Sequence, residues 1–539
     1  MGRRIRWLGA IMIACMGLVV FQLVNIQLVK AKSLQNDPNN PRVSVLKYSN
    51  PRGEILAADG TVLAKSVPRP PGTNTVDYPY KYVRQYPQGP LYAGITGYYS
   101  PLYYGLSGIE EEYDAQLGPH QKPPQTLSQL LFRETQPVTT DDVTLTIEPA
   151  LQQAAWNALT TLPPGANKDG AVVVLNPKTG AVLAMVSNPT FDPNALVSTD
   201  VHAENLAYYA YVQKDHEGYY PLRPIATGET FFPGSTMKVV TSTATYNLKP
   251  QLAGFDFPTA KCISFSDSNK QLCDQSGPCG GTMVEMLPFS CDPGYGQLGI
   301  DIGVSTLRQQ AELFGINSVP PIDLPNVVKS SLQTLPDNSQ AFQAYTSIGQ
   351  FGIQDTALQN AMVAAGIADG GVVMTPHLMS SIHDSQGALV EQYTPKAMPR
   401  TASPQTAQQV TSLMEGVVAT GTADHVGFPP YLCAAVKTGT AQTNPNQNVN
   451  HDWMIGLAPA NNPQIAVAVV VPDQDISSDG ASVAGPIMKA VMQAALPPGS
   501  VQQPCNVAGL PTSAFTGPRP AGTTLPSAPW SPCALVRGR

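Results

Sequence analysis

Two serines and two lysines carry the chemistry this chain could do. In Phe232-Pro233-Gly234-Ser235-Thr236-Met237-Lys238 a serine stands three residues before a lysine where a helix is expected to open. Residues three apart share a helix face, so the amine lies beside the hydroxyl. In a groove partly free of water such a lysine loses its proton near neutral pH and serves as base for the serine. The spacing alone is weak, because Ser44-Val45-Leu46-Lys47 repeats it. Lys437-Thr438-Gly439-Thr440 follows the apolar Ala434-Ala435-Val436 and reads as a strand. A glycine there lets a substrate backbone approach closely, and a cation with two hydroxyls suits a carboxylate. An edge of this kind takes an extended peptide as a further strand. Lys178-Thr179-Gly180 has the same letters but sits where a hairpin turn is expected. Between the two stretches lies Ser290-Cys291-Asp292, a hydroxyl with a carboxylate two residues on, which has almost no specificity by itself.

The elements that must position these residues are a sheet and covering helices. The alternating strand 143–147 runs into Glu148-Pro149, which opens a helix, with proline suited to its first turn. Two β-rich runs, 171–175 and 181–186, flank a Pro-Lys-Thr-Gly turn. Helices are expected from Ser235 onward, from Met283 into Asp292, over 304–314 and over 355–368. Strands at 433–437, 451–457 and 465–471 and an amphipathic helix at 483–496 close the unit. A strand, a helix and a hairpin followed by helices and strands imply an α+β sheet covered by helices. Upstream, the stretch 51–64 reads as a β-hairpin about Asp59-Gly60, and the acidic run Glu110-Glu111-Glu112 as a solvated face or helix start.

Bulk composition excludes more than it identifies. The chain has 539 residues, 42% hydrophobic, with a net charge of -7 and only 13% charged residues. It is long enough for two or three domains, and no basic patch, RNA-binding motif or zinc-type cysteine spacing points to nucleic acid or a metal. Arg3, Arg4 and Arg6 precede an apolar run to Val29 long enough to cross a bilayer. The flanking arginines would keep the N-terminus cytoplasmic and the remainder outside. The expected organisation is a cytoplasmic stub at 1–6, an anchor at 7–29, a β-rich pedestal at 30–141, a catalytic domain at 142–497 and a disordered Pro/Ala/Gly-rich tail at 498–539. Cys291 falls in the expected cleft and is set aside. The six other outward-facing cysteines, Cys433 among them, allow 15 connectivities; one bridge is expected within 262–279 and another within the tail.

Read in order, the stretches Ser-x-x-Lys, Ser-x-Asp/Asn and Lys-Thr-Gly resemble those of the penicillin-recognising serine acyl-transferases. Pro51-Arg52-Gly53, Gly108-Ile109-Glu110, Leu145-Thr146-Ile147-Glu148-Pro149, Gly349-Gln350-Phe351-Gly352 and Trp453 narrow the resemblance to class B penicillin-binding proteins, above all their compact actinobacterial members. Two departures stand out: Asp292 replaces a common asparagine, and the 349–352 loop carries one residue more than the family's Gly-Gln-Gly. The resemblance implies a five-stranded antiparallel sheet covered by helices plus an all-helical subdomain. It implies that Ser235 attacks the D-Ala-D-Ala carbonyl of a peptidoglycan stem peptide and that Lys238 takes its proton. Ser290 and Lys437 would relay that proton to the leaving D-alanine. The backbone N–H groups of Ser235 and Thr440 would form the oxyanion hole, and Thr438, Gly439 and Thr440 would hold the substrate's end. No metal or organic cofactor is implied. The implied partners are stem peptides on a lipid-linked precursor, β-lactams as inhibitors, and a membrane-embedded glycan polymerase of the SEDS type. The alternatives are a D,D-carboxypeptidase or β-lactam hydrolase, or a non-catalytic anchored β-lactam sensor.

Overall fold

The unbroken apolar run 465–471 leaves no face of its strand for water, so it has to lie inside a sheet covered on both sides. The computed structural model describes residues 2–26, 47, 49–101, 103–121, 138–162, 166–215, 218–334, 339–442 and 449–500, and it places this strand in the middle of a five-stranded sheet. Five strands, Gly170–Leu175 (β1), Val182–Asn188 (β2), Ala435–Gln442 (β3), Val449–Ala458 (β4) and Ile465–Asp475 (β5), form an antiparallel sheet in the order β2-β1-β5-β4-β3. The Lys-Thr-Gly strand, β3, is therefore an edge.

Helices cover both faces. Pro149–Thr160 (α1) and Ala484–Ala495 (α5) pack together on one face. Ala357–Ala368 (α4) packs on the other and is buried along its whole length. Its side chains are apolar apart from Gln359 and Asn360, as suits an interior helix, and Pro404–Ala419 shields α4 from solvent. The segment from Met237–Leu248 (α2) to Asp292–Ile302 (α3) and beyond is mainly helical. It is not all-helical as expected, because the hairpin Cys262–Phe265/Ser268–Cys273 is inserted in it. That hairpin is tied by Cys262–Cys273, the bridge anticipated within 262–279.

The upstream hairpin forms about Gly60 and enters a six-stranded mixed sheet. Two of that sheet's strands, Met379–Asp384 and Leu389–Gln392, come from after α4. Glu110 is not solvated. It is fully buried, its carboxylate 2.5 Å from both Arg52 Nε and Arg84 Nε, because a charge taken out of water must be paired.

The first helix covers Gly2–Val24, and its apolar side chains, among them Trp7 and Phe21, stand exposed. Among the described residues no helix is long and apolar enough to cross a membrane. The transmembrane element expected over 7–29 is thus not found there, its last residues lying outside the description. The decoy serine Ser44 and the tail cysteines Cys505 and Cys533 also lie outside the described residues.

Candidate active site

A proline and a glycine ahead of Ser235 let the chain turn sharply into a helix. Gly234–Thr236 forms a single 3-10 turn leading into α2, with Gly234 at φ 54°. That turn is pressed onto β3. A Cβ at Gly234 would fall 2.8 Å from Thr440 O, and one at Gly439 would fall 2.7 Å from Pro233 O and 2.8 Å from Thr236 Cγ2. The glycine of Lys-Thr-Gly thus admits the turn that carries Ser235, where a substrate backbone was expected. Behind the turn, Gly349 accepts a hydrogen bond from Gly234 N at 3.0 Å, and Trp453 Nε1 donates to Phe232 O at 3.0 Å. Ser235 is left half-buried, its hydroxyl making no hydrogen bond among the described residues.

The structure brings the other four expected residues to one point beside it. Lys238 Nζ donates to Ser290 O at 2.5 Å, to Ser290 Oγ at 3.2 Å and to Asp292 Oδ1 at 2.6 Å. All three ammonium protons thus have acceptors. Lys437 Nζ lies 2.9 Å from the same Ser290 Oγ and 2.8 Å from Thr438 O. Both lysines are fully buried. Burial first, and then the charge of Lys238, push Lys437 well below the ordinary lysine range, against the pull of Asp292. Lys238 forms no hydrogen bond to Ser235, and contacts of this kind tighten when substrate binds. Asp292, where an asparagine amide would be free to donate, is instead the counter-ion of Lys238. Ser290 sits at φ 58°, a left-handed conformation that is costly for a side-chain-bearing residue and that clusters at functional sites.

The edge of β3 supplies the remaining groups. Gln442 turns both its backbone N–H and C=O away from β4, toward the carboxamide of Gln350. Strand alternation then turns those of Thr440 and Thr438 the same way. The Thr440 N–H therefore faces the edge beside Ser235, whose own N–H is one of the unpaired donors of a helix start. Thr440 Oγ1 accepts from Gly480 N at 3.1 Å, which leaves its proton to donate outward, and Thr438 Oγ1 meets Thr422 Oγ1 at 2.6 Å.

Several contributors carried no signal in the sequence. Asp274 accepts from Asp292 N at 3.1 Å, Tyr295 places its ring 5.5 Å from Lys238 Nζ, and Thr422 and Gly480 come from connecting segments. Cys291, set aside as a cleft residue, is instead bonded to Cys279 and buried. Cys433 is also disulfide-bonded. Asp274, Cys279 and Cys291 bring ligand-type atoms within 4.8 Å of one another, but the two sulfurs are bonded to each other and offer no thiolate. The decoy Lys178 lies at a hairpin turn and pairs with Asp369 at 2.7 Å.

A hydroxyl at a helix start, beside a sheet edge and two lysines sharing a second hydroxyl, defines a serine acyl-transfer site. The profile of the penicillin binding protein transpeptidase domain matches residues 170–493, and that of the penicillin binding protein A dimerisation domain matches residues 52–137. The peptidoglycan D,D-transpeptidase PbpA of Mycolicibacterium smegmatis is 36% identical over 513 residues, 92% of this chain and 99% of the relative. Among solved structures, a ceftriaxone acyl-enzyme complex of penicillin-binding protein A from M. tuberculosis superposes with a TM-score of 0.73 at 34% identity, covering 84% of this chain and 99% of that one. A D,D-transpeptidase domain from Eggerthella lenta does so with 0.67 at 30% identity, covering 83% and 98%. The chain therefore belongs to the penicillin-binding protein transpeptidase family.

Proposed function

We propose that this chain is a peptidoglycan D,D-transpeptidase that crosslinks stem peptides through an acyl-enzyme on Ser235. The observation that carries the reading is the convergence of Lys238 and Lys437 on Ser290 Oγ, at 3.2 and 2.9 Å, next to an unengaged Ser235. Ser235 Oγ attacks the carbonyl between the two terminal D-alanines, and its proton goes to Lys238, which in turn gives one of its own through Ser290 Oγ to the neutral Lys437. The oxyanion is held by the N–H groups of Ser235 and Thr440, in the arrangement that usually supplies the largest electrostatic term in acyl transfer. As the C–N bond breaks, the departing D-alanine takes a proton through Ser290, which touches both lysines. An amine from a neighbouring stem then attacks the ester, forms the crosslinking amide and returns the proton to Ser235. A β-lactam reacts at the same serine and leaves an ester.

The catalytic domain is proposed to work outside the cell membrane, anchored by the N-terminal helix. Its three leading arginines and exposed apolar side chains support that placement. Resemblance alone supports a SEDS-type polymerase as its partner.

Fluorescent penicillin should label the purified protein, and Ser235→Ala should abolish labelling; undiminished labelling of the variant would overturn the assignment. Formation of crosslinked dimers from lipid-linked precursor, against simple release of D-alanine, separates a transpeptidase from a carboxypeptidase.

A further inference from the structure

Past Thr440 the edge of β3 is closed to pairing. The Gln350 carboxamide donates to Gln442 O at 3.2 Å and accepts from Gln442 N at 3.1 Å, so both groups that a peptide would use there are taken. The next residue, Phe351, breaks two rules at once. It is 59% exposed, and its backbone sits at φ 48°, a region that costs any residue with a Cβ and in which a bulky side chain is an outlier. Glycines stand on both sides of the pair, Gly349 at φ 80° and Gly352 at φ 89°, so a third glycine would be the unstrained choice. Phe351 is nevertheless fixed: Thr346 Oγ1 donates to its carbonyl at 2.9 Å, and its ring meets that of Phe342 edge-on at 6.1 Å. A strained, exposed aromatic beside an active site points to function.

What would reach it follows from the direction of the substrate, and here the argument rests on the transpeptidase reading above. The donor's terminal carboxylate lies at Thr438 and Thr440, and its scissile carbonyl at the N–H of Thr440. Going from one to the other is going along β3 toward Gln442, so the donor residue that precedes the D-alanine pair arrives where Gln350 has sealed the edge.

We infer that Gln350 and Phe351 are specificity-determining residues for the donor. Gln350 ends strand pairing at Thr440, and the Phe351 ring takes the aliphatic side chain of the residue preceding the D-alanine pair. An aromatic face suits a methylene chain, which packs along it while any polar tip stays in water. Strand pairing would have suited any extended peptide, whereas this arrangement selects by the length of one side chain.

The test uses the full-length chain in detergent with two thioester donors. One is the thiolactate analogue of acetyl-D-alanyl-D-alanine, and the other is the same compound extended by an acetylated lysine ahead of the D-alanine. Phe351→Gly should lower kcat/KM about tenfold on the extended donor, through KM with kcat held, as expected for a lost apolar contact. The short donor and benzylpenicillin should change by less than about twofold. The variant should melt no lower than the wild type, since glycine is at home at this φ, so loss of fold cannot imitate the effect. Gln350→Ala should narrow the preference for the extended donor as well. Equal losses on both donors, no loss on either, or a fall in kcat with KM fixed would overturn the inference. A wild-type chain that reacts with neither donor nor benzylpenicillin would overturn the acyl-transfer reading itself.

Discussion

Lys238 and Lys437 approach the Ser290 hydroxyl together, and only Lys238 has a counter-ion. Both amines touch one oxygen, so they lie within roughly 6 Å, where two full charges repel by about 3 kcal/mol at the effective dielectric of a protein site. With Asp292 2.6 Å from Lys238, the site holds one positive charge on Lys238, and Lys437 is the lysine that yields its proton. Its depressed proton affinity makes folding costly. The unfolded chain binds a proton there that the folded chain gives up, so stability rises with pH from Lys437's own depressed value to the ordinary lysine value of 10.5. Lys437→Met should therefore melt at or above the wild-type temperature at pH 7, the gap closing as pH approaches 10. Acylation by fluorescent penicillin should fall at least about a hundredfold, as expected when a proton-transfer group is removed. A variant that melts well below the wild type would mean that the ammonium stabilises the fold. At this scale the residues gathered around Ser290 were legible because three stretches stood in a fixed order. Glu110 was not, since its partners Arg52 and Arg84 lie 58 and 26 residues away and nothing local distinguishes it from Glu111 and Glu112.

At the scale of elements, glycines decide where Ser235 sits. Gly349 is the tightest: an added Cβ would fall 1.9 Å from Gly234 O, and its φ is 80°. Gly349→Ala should push the 234–236 turn off β3, cutting the acylation rate about tenfold or more and costing roughly 1–3 kcal/mol of stability. Gly387 separates the two causes, because at φ 79° with nothing within 4 Å it carries the same backbone penalty without the contact. Gly387→Ala should lose about 1 kcal/mol and leave acylation unchanged; equal rate losses in both variants would remove the packing argument. The sequence announced the β1–β2 hairpin, α1, α2, α4 and α5, since each has a long apolar pattern and a turn or proline at its end. The helix Pro404–Ala419 was not among the expected elements, although Ser403-Pro404 and Val410, Leu413, Met414 and Val417 carry its pattern. Of the cysteine pairs the sequence located only the bridge within 262–279. Ser290 and Asp292 reach Lys238, while Cys291 between them turns into the core toward Cys279, and a chain position beside the cleft says nothing about that turn.

For the molecule as a whole, the central sheet and its helices followed from apolar patterning. The union in one sheet of the hairpin near Gly60 and the strands after α4, with Asp141–Leu145 pairing to each, did not, because pairing between such distant segments leaves no local mark. The same long-range packing buries Asp355, where the segment leading to Ser235 meets α4. Its backbone exchanges hydrogen bonds with Phe231 at 3.0 and 2.8 Å, while its carboxyl is fully enclosed and Oδ1 has no partner among the described residues. Burial raises it from 3.8 to about 7. An acid raised in this way binds its proton more tightly folded than unfolded, so the stability it allows is intact below pH 3.8 and is lost as pH climbs through about 7. His451 works in the opposite sense: burial lowers it from 6.5 to about 4, and its contribution is lost as pH falls through that window. Asp355→Asn replaces the carboxyl by a neutral group of the same shape. Melting curves of variant and wild type should coincide near pH 4, diverge in the variant's favour up to pH 7, and run parallel above it. The final gap should be on the order of 4 kcal/mol, the linkage value of a shift of this size. Parallel curves from pH 4 upward would show that Asp355 is ionised and paired in the folded chain, and the clamp on Phe231 would then have to be held by a charge.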